Sequence, residues 1–165
     1  VRLADTLQWQ PQNITELTTY GFEITGLYKF TTESFIKRIS IAYAYLQTDK
    51  LPSDFDSRYA LDYLKHKAVL SLHHKIIGNI TAHWQVRFED RNEQYTPYDL
   101  LTRSNLEDLD YKPYTLIDLK VRWTKGILEF YVSGSNLLNT EYYEFGNIKM
   151  PGLWLKGGLK LNMSL

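Results

Sequence analysis

Three of the four histidines, His66, His73 and His74, fall within nine residues, and neutral imidazole is the commonest metal ligand. Adjacent residues on an extended backbone point to opposite faces, so His73 and His74 cannot chelate one ion together. The expectation is a solvated histidine pair and no metal site. Cysteine is absent, which excludes a thiolate metal site, a disulfide framework and a cysteine nucleophile. Serine, histidine and aspartate occur without a nucleophile elbow or any catalytic spacing. The glycines are scattered and form no phosphate-cradling loop. Asn13-Ile14-Thr15, Asn79-Ile80-Thr81 and Asn162-Met163-Ser164 fit a glycosylation sequon, but two of them fall in expected strands, so the matches are chance. No catalytic constellation stands out, and neither enzyme activity nor a cofactor is expected.

Two other groups of residues are suited to binding. Tyr95, Tyr98, Tyr142, Tyr143 and Phe145 lie between expected strands, where aromatics supply a large contact area at low entropic cost. They could stack on a bulky ligand, or pack the loops against one another. Glu23, Arg87, Asp118, Lys120 and Arg122 stand on the polar faces of strands. They could bind a second surface electrostatically, or be solvated. The 19 basic and 19 acidic residues of the 165-residue chain cancel, which argues against a nucleic-acid partner.

The elements that must carry these residues repeat with a period of two. Ile80, Ala82, Trp84, Val86 and Phe88 alternate with Thr81, His83, Gln85, Arg87 and Glu89. Ile117, Leu119, Val121 and Trp123 alternate with Asp118, Lys120 and Arg122, with Leu116 on the polar side. Leu128, Phe130, Val132 and Gly134 oppose Glu129, Tyr131, Ser133 and Ser135. Tyr20, Phe22, Ile24, Gly26 and Tyr28 oppose Gly21, Glu23, Thr25 and Leu27. Less regular alternation covers residues 38–45 and 67–73. In Leu153–Leu165 the odd positions are leucine, glycine and methionine, and the even ones include Lys156 and Lys160. This makes seven strands, each near the roughly nine to eleven residues that cross a bilayer at a tilt.

Short links at Phe30–Ser34, Lys75–Asn79 and Thr124–Gly126 alternate with long ones at Thr48–Leu61, Asp90–Pro113 and Leu137–Gly152. Short turns on one rim and long loops on the other are the habit of an outer-membrane barrel, apolar toward lipid and polar toward the lumen. The long loops are then extracellular, and the charged positions face the lumen. Trp123, Tyr28, Tyr45, Phe88 and Tyr20 lie near strand ends, as interfacial girdles do, whereas Trp84 sits deeper. No apolar run reaches the ~18 residues of a transmembrane helix. The start at Val1-Arg2-Leu3-Ala4-Asp5 reads as the interior of a longer chain.

The segment Asn136-Leu137-Leu138-Asn139-Thr140-Glu141-Tyr142-Tyr143, followed by Met150-Pro151-Gly152-Leu153-Trp154, resembles the C-terminal signature of TonB-dependent outer-membrane receptors. Trp9-Gln10-Pro11-Gln12-Asn13-Ile14 with Tyr20-Gly21-Phe22-Glu23, and Tyr114-Thr115-Leu116-Ile117-Asp118-Leu119, resemble further strands of that family. Leu153 stands where the family commonly has Arg, and Leu165 where it usually ends in Phe. The resemblance implies an all-β antiparallel transmembrane barrel of 22 strands, of which residues 1–165 would be one piece, about the last seven strands. It further implies a plug domain and a TonB contact segment upstream, both outside this chain. The implied function is TonB-energised uptake of a metal chelate, a corrinoid or an oligosaccharide across a bacterial outer membrane. The implied partners are outer-membrane lipid, the receptor's own plug, TonB and the barrel-assembly machinery. The machinery would read Leu159, Leu161, Met163 and Leu165 as the assembly signal. Two other readings remain open on the residues alone: a small complete barrel of structural or adhesive role, and a soluble β-sandwich binding module. Seven strands in isolation would leave two open edges, so order is expected only within a closed barrel.

Overall fold

The computed structural model describes residues 2–3, 17–50, 55–56, 64–92, 94–95, 98–99, 101, 104–105, 107, 109–144 and 148–162. Seven long strands carry the fold: β1 (Leu17–Lys29), β2 (Ile36–Lys50), β3 (Leu64–Ile77), β4 (Ile80–Arg91), β5 (Tyr114–Lys125), β6 (Leu128–Ser135) and β7 (Trp154–Leu161). They form one antiparallel sheet in which each strand pairs with its neighbour in the chain. No helix occurs among the described residues. Within the same residues, β1 and β7 are edges, each paired on one side only.

The register aligns like with like across the sheet. One row runs Tyr28, Ile39, Leu72, Trp84, Leu119, Gly134, Leu155, and the next runs Gly26, Ile41, Leu70, Val86, Ile117. The opposite face carries Glu23, Ala44, Lys67, Glu89 and Tyr114 in one row, and Lys29, Arg38, His73, His83, Lys120, Ser133 and Lys156 in another. A slip of one residue in any pair would invert that strand, so the continuous apolar face fixes the register.

The connections alternate as their lengths foretold. β3 and β4 are joined at Gly78 (φ +52°), and β5 and β6 at Gly126 (φ +57°). Positive φ at the first turn position is the hairpin geometry that glycine adopts without Cβ strain. The β1–β2 turn is closed by Phe30 N–H donating to the Lys37 carbonyl at 3.0 Å. On the other rim, the described residues between β4 and β5 form two short antiparallel ladders, Gln94–Tyr95 with Leu109–Asp110 and Tyr98–Asp99 with Ser104–Asn105. In the last long connection, Asn136 and Tyr142 contact Asp118 and Tyr114 on the polar face.

Burial is inverted relative to a water-soluble sheet. On the apolar face Ile24 is 61% exposed, Ile41 55%, Val132 63% and Leu155 65%. The buried apolar cluster is instead Tyr114, Leu116 and Tyr142, with Met150 packed against it. Tyr114 and Leu116 belong to the polar face of β5 by register, and Tyr142 and Met150 come from the last connection. Ala82 is the exception, a small side chain buried on the apolar face between His74 and Val121.

Candidate functional site

Among the described residues the charged side chains gather on the polar face, most densely where β4, β5 and the last connection meet. Glu89 is 3% exposed. A buried carboxylate costs several kcal/mol unless donors surround it. The Tyr114 hydroxyl donates to Glu89 Oε2 at 2.5 Å, while Lys67 Nζ and Arg87 Nη1 stand 3.7 and 3.6 Å from Oε1. The Tyr142 ring packs on Tyr114 with centroids 4.6 Å apart. Burial, then the nearby Glu144 charge, raises the Tyr142 phenol above its ordinary value, so it stays neutral.

Two asparagines hold the last connection in this place. Asn136 and Asn139 both have φ +51°, a left-handed conformation that asparagine tolerates better than most residues. Asn136 Oδ1 accepts from Thr140 N–H at 2.8 Å, and its Nδ2 donates to the Thr140 and Pro151 carbonyls at 2.8 and 3.3 Å. Its backbone N–H donates to Asp118 Oδ1 at 2.8 Å. Asn139 Oδ1 accepts from Leu153 N–H at 2.9 Å, which ties the start of the loop to the entry of β7. A Cβ at Gly152 would stand 2.3 Å from that oxygen, so glycine is required there. The Asn136–Tyr143 segment is therefore a side-chain-built clasp whose spacing follows from its hydrogen bonds.

The outer part of the same loop is pinned by Lys149 Nζ donating to Glu141 Oε2 at 2.7 Å, and by Tyr143 donating to Oε1 at 3.0 Å. The hydrogen bond from Lys149, then that from Tyr143, holds the Glu141 carboxyl below its ordinary range, and the bond to Glu141 raises Lys149.

Lower on the polar face the charges are partly matched. Arg122 Nε lies 3.2 Å from Glu129 Oε1, an ion pair without an aligned hydrogen bond. Lys120 Nζ stands 4.2 Å from the Tyr131 ring centroid, and a Cβ on Gly158 would meet Tyr131 Oη at 2.6 Å, so the ring lies over the glycine and under the ammonium. His83, Asp118, Lys120, Tyr131, Ser133 and Lys156 are among the residues that line a cleft of about 250 Å³. Glu23 lines a second cleft of about 600 Å³ with Lys67 and Arg91.

The structure places Glu23, Arg87, Asp118, Lys120 and Arg122 together on one face, as alternation required. Arg87, Asp118 and Arg122 are tied to partners of this chain. Tyr95 and Tyr98 stand in the two ladders of the second connection. Tyr143 is half-buried at the loop rim, and Tyr142 is buried in the clasp. Phe145, Met163 and Leu165 lie outside the described residues, as does the Trp9–Ile14 motif, whereas Leu159 and Leu161 are exposed on the apolar face of β7. His73 and His74 point to opposite faces: His73 faces His83, and His74 Nε2 accepts from Trp84 Nε1 at 3.2 Å. That bond satisfies the deep tryptophan on the apolar face. Among the described residues no three His, Asp or Glu side chains converge as metal ligands. Glu89 and Tyr114 were not singled out from sequence. They are 25 residues apart, and only the β4–β5 register brings them together.

The profile of the family described as TonB dependent receptor-like, beta-barrel matches residues 2–137. No curated protein and no solved structure matches the chain. The match covers six of the seven strands, stopping just inside the clasp, and it agrees with an open antiparallel sheet whose apolar face is the exposed one. The chain belongs to the TonB-dependent receptor β-barrel family, whose members are receptors and transporters of the outer membrane.

Proposed function

We propose that this chain supplies about the last seven strands of a 22-stranded receptor barrel in a bacterial outer membrane. The barrel takes up a bulky ligand, a metal chelate, a corrinoid or an oligosaccharide, with energy delivered through TonB. The observation that carries the reading is the inverted burial: large apolar side chains are exposed on one face, while buried packing and ion pairs lie on the other. Lipid accounts for the first face and a wet, occupied lumen for the second. Among the described residues β1 and β7 are each paired on one side only, which supports a larger barrel over a small closed one, because open edges do not persist in lipid.

In this reading Glu23, Lys120 and Arg122 face the plug domain, together with Arg87 and Asp118. Tyr95, Tyr98, Tyr143 and Phe145 are the ligand-facing aromatics of the extracellular loops, and Tyr142 sets the position of the last loop. Leu159, Leu161, Met163 and Leu165 are the apolar positions offered to the barrel-assembly machinery.

Residues 1–165 contain no cysteine, so a single cysteine placed among them, in a receptor otherwise free of reactive cysteine, reports orientation. Cysteine at Ser71 or Lys120 in cells should react with a water-soluble maleimide, and cysteine at Leu70 or Val132 should not. Equal labelling of both sets would overturn the lipid-facing assignment. TonB-dependent accumulation of one labelled ferric chelate, corrinoid or oligosaccharide then assigns the ligand class.

A further inference from the structure

A row of donors crosses the polar face near β6. The register sets Lys120 of β5, Ser133 of β6 and Lys156 of β7 directly side by side, and His83 of β4 continues the row. Ser133 is 8% exposed, and its Oγ has no hydrogen-bond partner. A buried hydroxyl without a partner is destabilising, so this position calls for an acceptor. All three side chains line the same ~250 Å³ cleft, together with Gln85, Tyr131 and Asp118. Asp118 is the one carboxylate in the cleft, and its Oδ1 is engaged by the Asn136 N–H of the clasp. By register two lysines stand on either side of the hydroxyl, with the Lys120 ammonium held over the Tyr131 ring that lines the same cleft, and the chemistry that matches two cations and a hydroxyl donor is an oxyanion.

We propose that the cleft between β5, β6 and β7 is a site for one oxyanion group, a phosphate or a carboxylate, held by Lys120, Ser133 and Lys156. Ser133 gives the group its fixed hydrogen bond, and the two lysines close on it from either side. The same group can arrive on a free anion or on a carboxylate of the receptor itself, since both present the same oxygens.

The test uses the detergent-purified receptor titrated with inorganic phosphate at constant ionic strength, chloride being the replaced ion, with ³¹P line broadening and thermal unfolding as readouts. A free-anion site gives saturable binding that Lys120→Gln and Lys156→Gln each weaken by about tenfold, the loss of one charge-assisted contact. Ser133→Ala weakens it by a smaller factor, and Lys125→Gln, at the rim and outside the cleft, leaves it unchanged. A site filled by the receptor's own carboxylate gives no phosphate response, while Lys120→Gln and Lys156→Gln lower the unfolding temperature and Lys125→Gln does not. The proposal is overturned if phosphate does not bind and the cleft variants unfold like Lys125→Gln. It is equally overturned if Lys125→Gln weakens phosphate as much as they do. Either result leaves the barrel orientation untouched, since that rests on the labelling pattern.

Discussion

Asn136 shows how much one side chain can organise. It takes up a left-handed backbone and spends its amide on Thr140 and Pro151, while its N–H is held by Asp118. Replacement by alanine removes three side-chain hydrogen bonds and puts a residue less tolerant of the left-handed backbone at that position. We expect Asn136→Ala to destabilise the protein by about 2–4 kcal/mol in urea unfolding from detergent. Asn136→Gly keeps the conformation without strain and should recover about 1 kcal/mol of that loss. Equal effects of the two substitutions would mean that the backbone geometry is irrelevant there.

At the scale of the element, β6 and β7 depend on a ring laid over a glycine. The Tyr131 ring occupies the space a Cβ at Gly158 would need. Gly158→Ala should cost about 1–2 kcal/mol, because the ring must lift and leave Lys120. In a Tyr131→Ala background the same substitution should cost close to nothing, so a double-mutant cycle measures the contact. The outer loop gives a pH prediction. Glu141 has a lowered pKa, so its contribution is complete above the ordinary glutamate value of 4.5 and fades as pH falls through the lower folded value. Lys149 has a raised pKa, so its contribution is complete below the ordinary 10.5 and fades as pH rises through the higher folded value. Hydrogen-exchange protection across the Tyr143–Lys149 bridge should therefore hold steady between those two limits. Loss of protection near neutral pH would show that the ion pair does not hold the loop.

For the whole molecule, the decisive property is which face meets lipid. Leu70 and Ser71 are adjacent on β3, a strand paired on both sides, and point to opposite faces. Arginine at Leu70 should cost about 2–4 kcal/mol in a bilayer-inserted barrel, and arginine at Ser71 less than about 1 kcal/mol. The reverse ranking would place water where lipid is assigned.

Much of this architecture is legible in the order of the residues. Side chains alternate across a strand as a matter of backbone geometry, so Ile80–Glu89 or Leu116–Trp123 reveals a strand and its two faces without tertiary information. Glycine at positions 78 and 126 marks tight turns for the same local reason. Lys120, Arg122 and Lys156 could be assigned to the polar face from parity alone. The tertiary structure decided what no local pattern encodes. It set the register that brings Glu89 to Tyr114 and Lys120 to Ser133 and Lys156, and it folded the last connection over the polar face so that Tyr142 is buried. Alternation has only two states per residue, whereas a site depends on which rows of separate strands coincide, and that follows from pairing across the whole sheet.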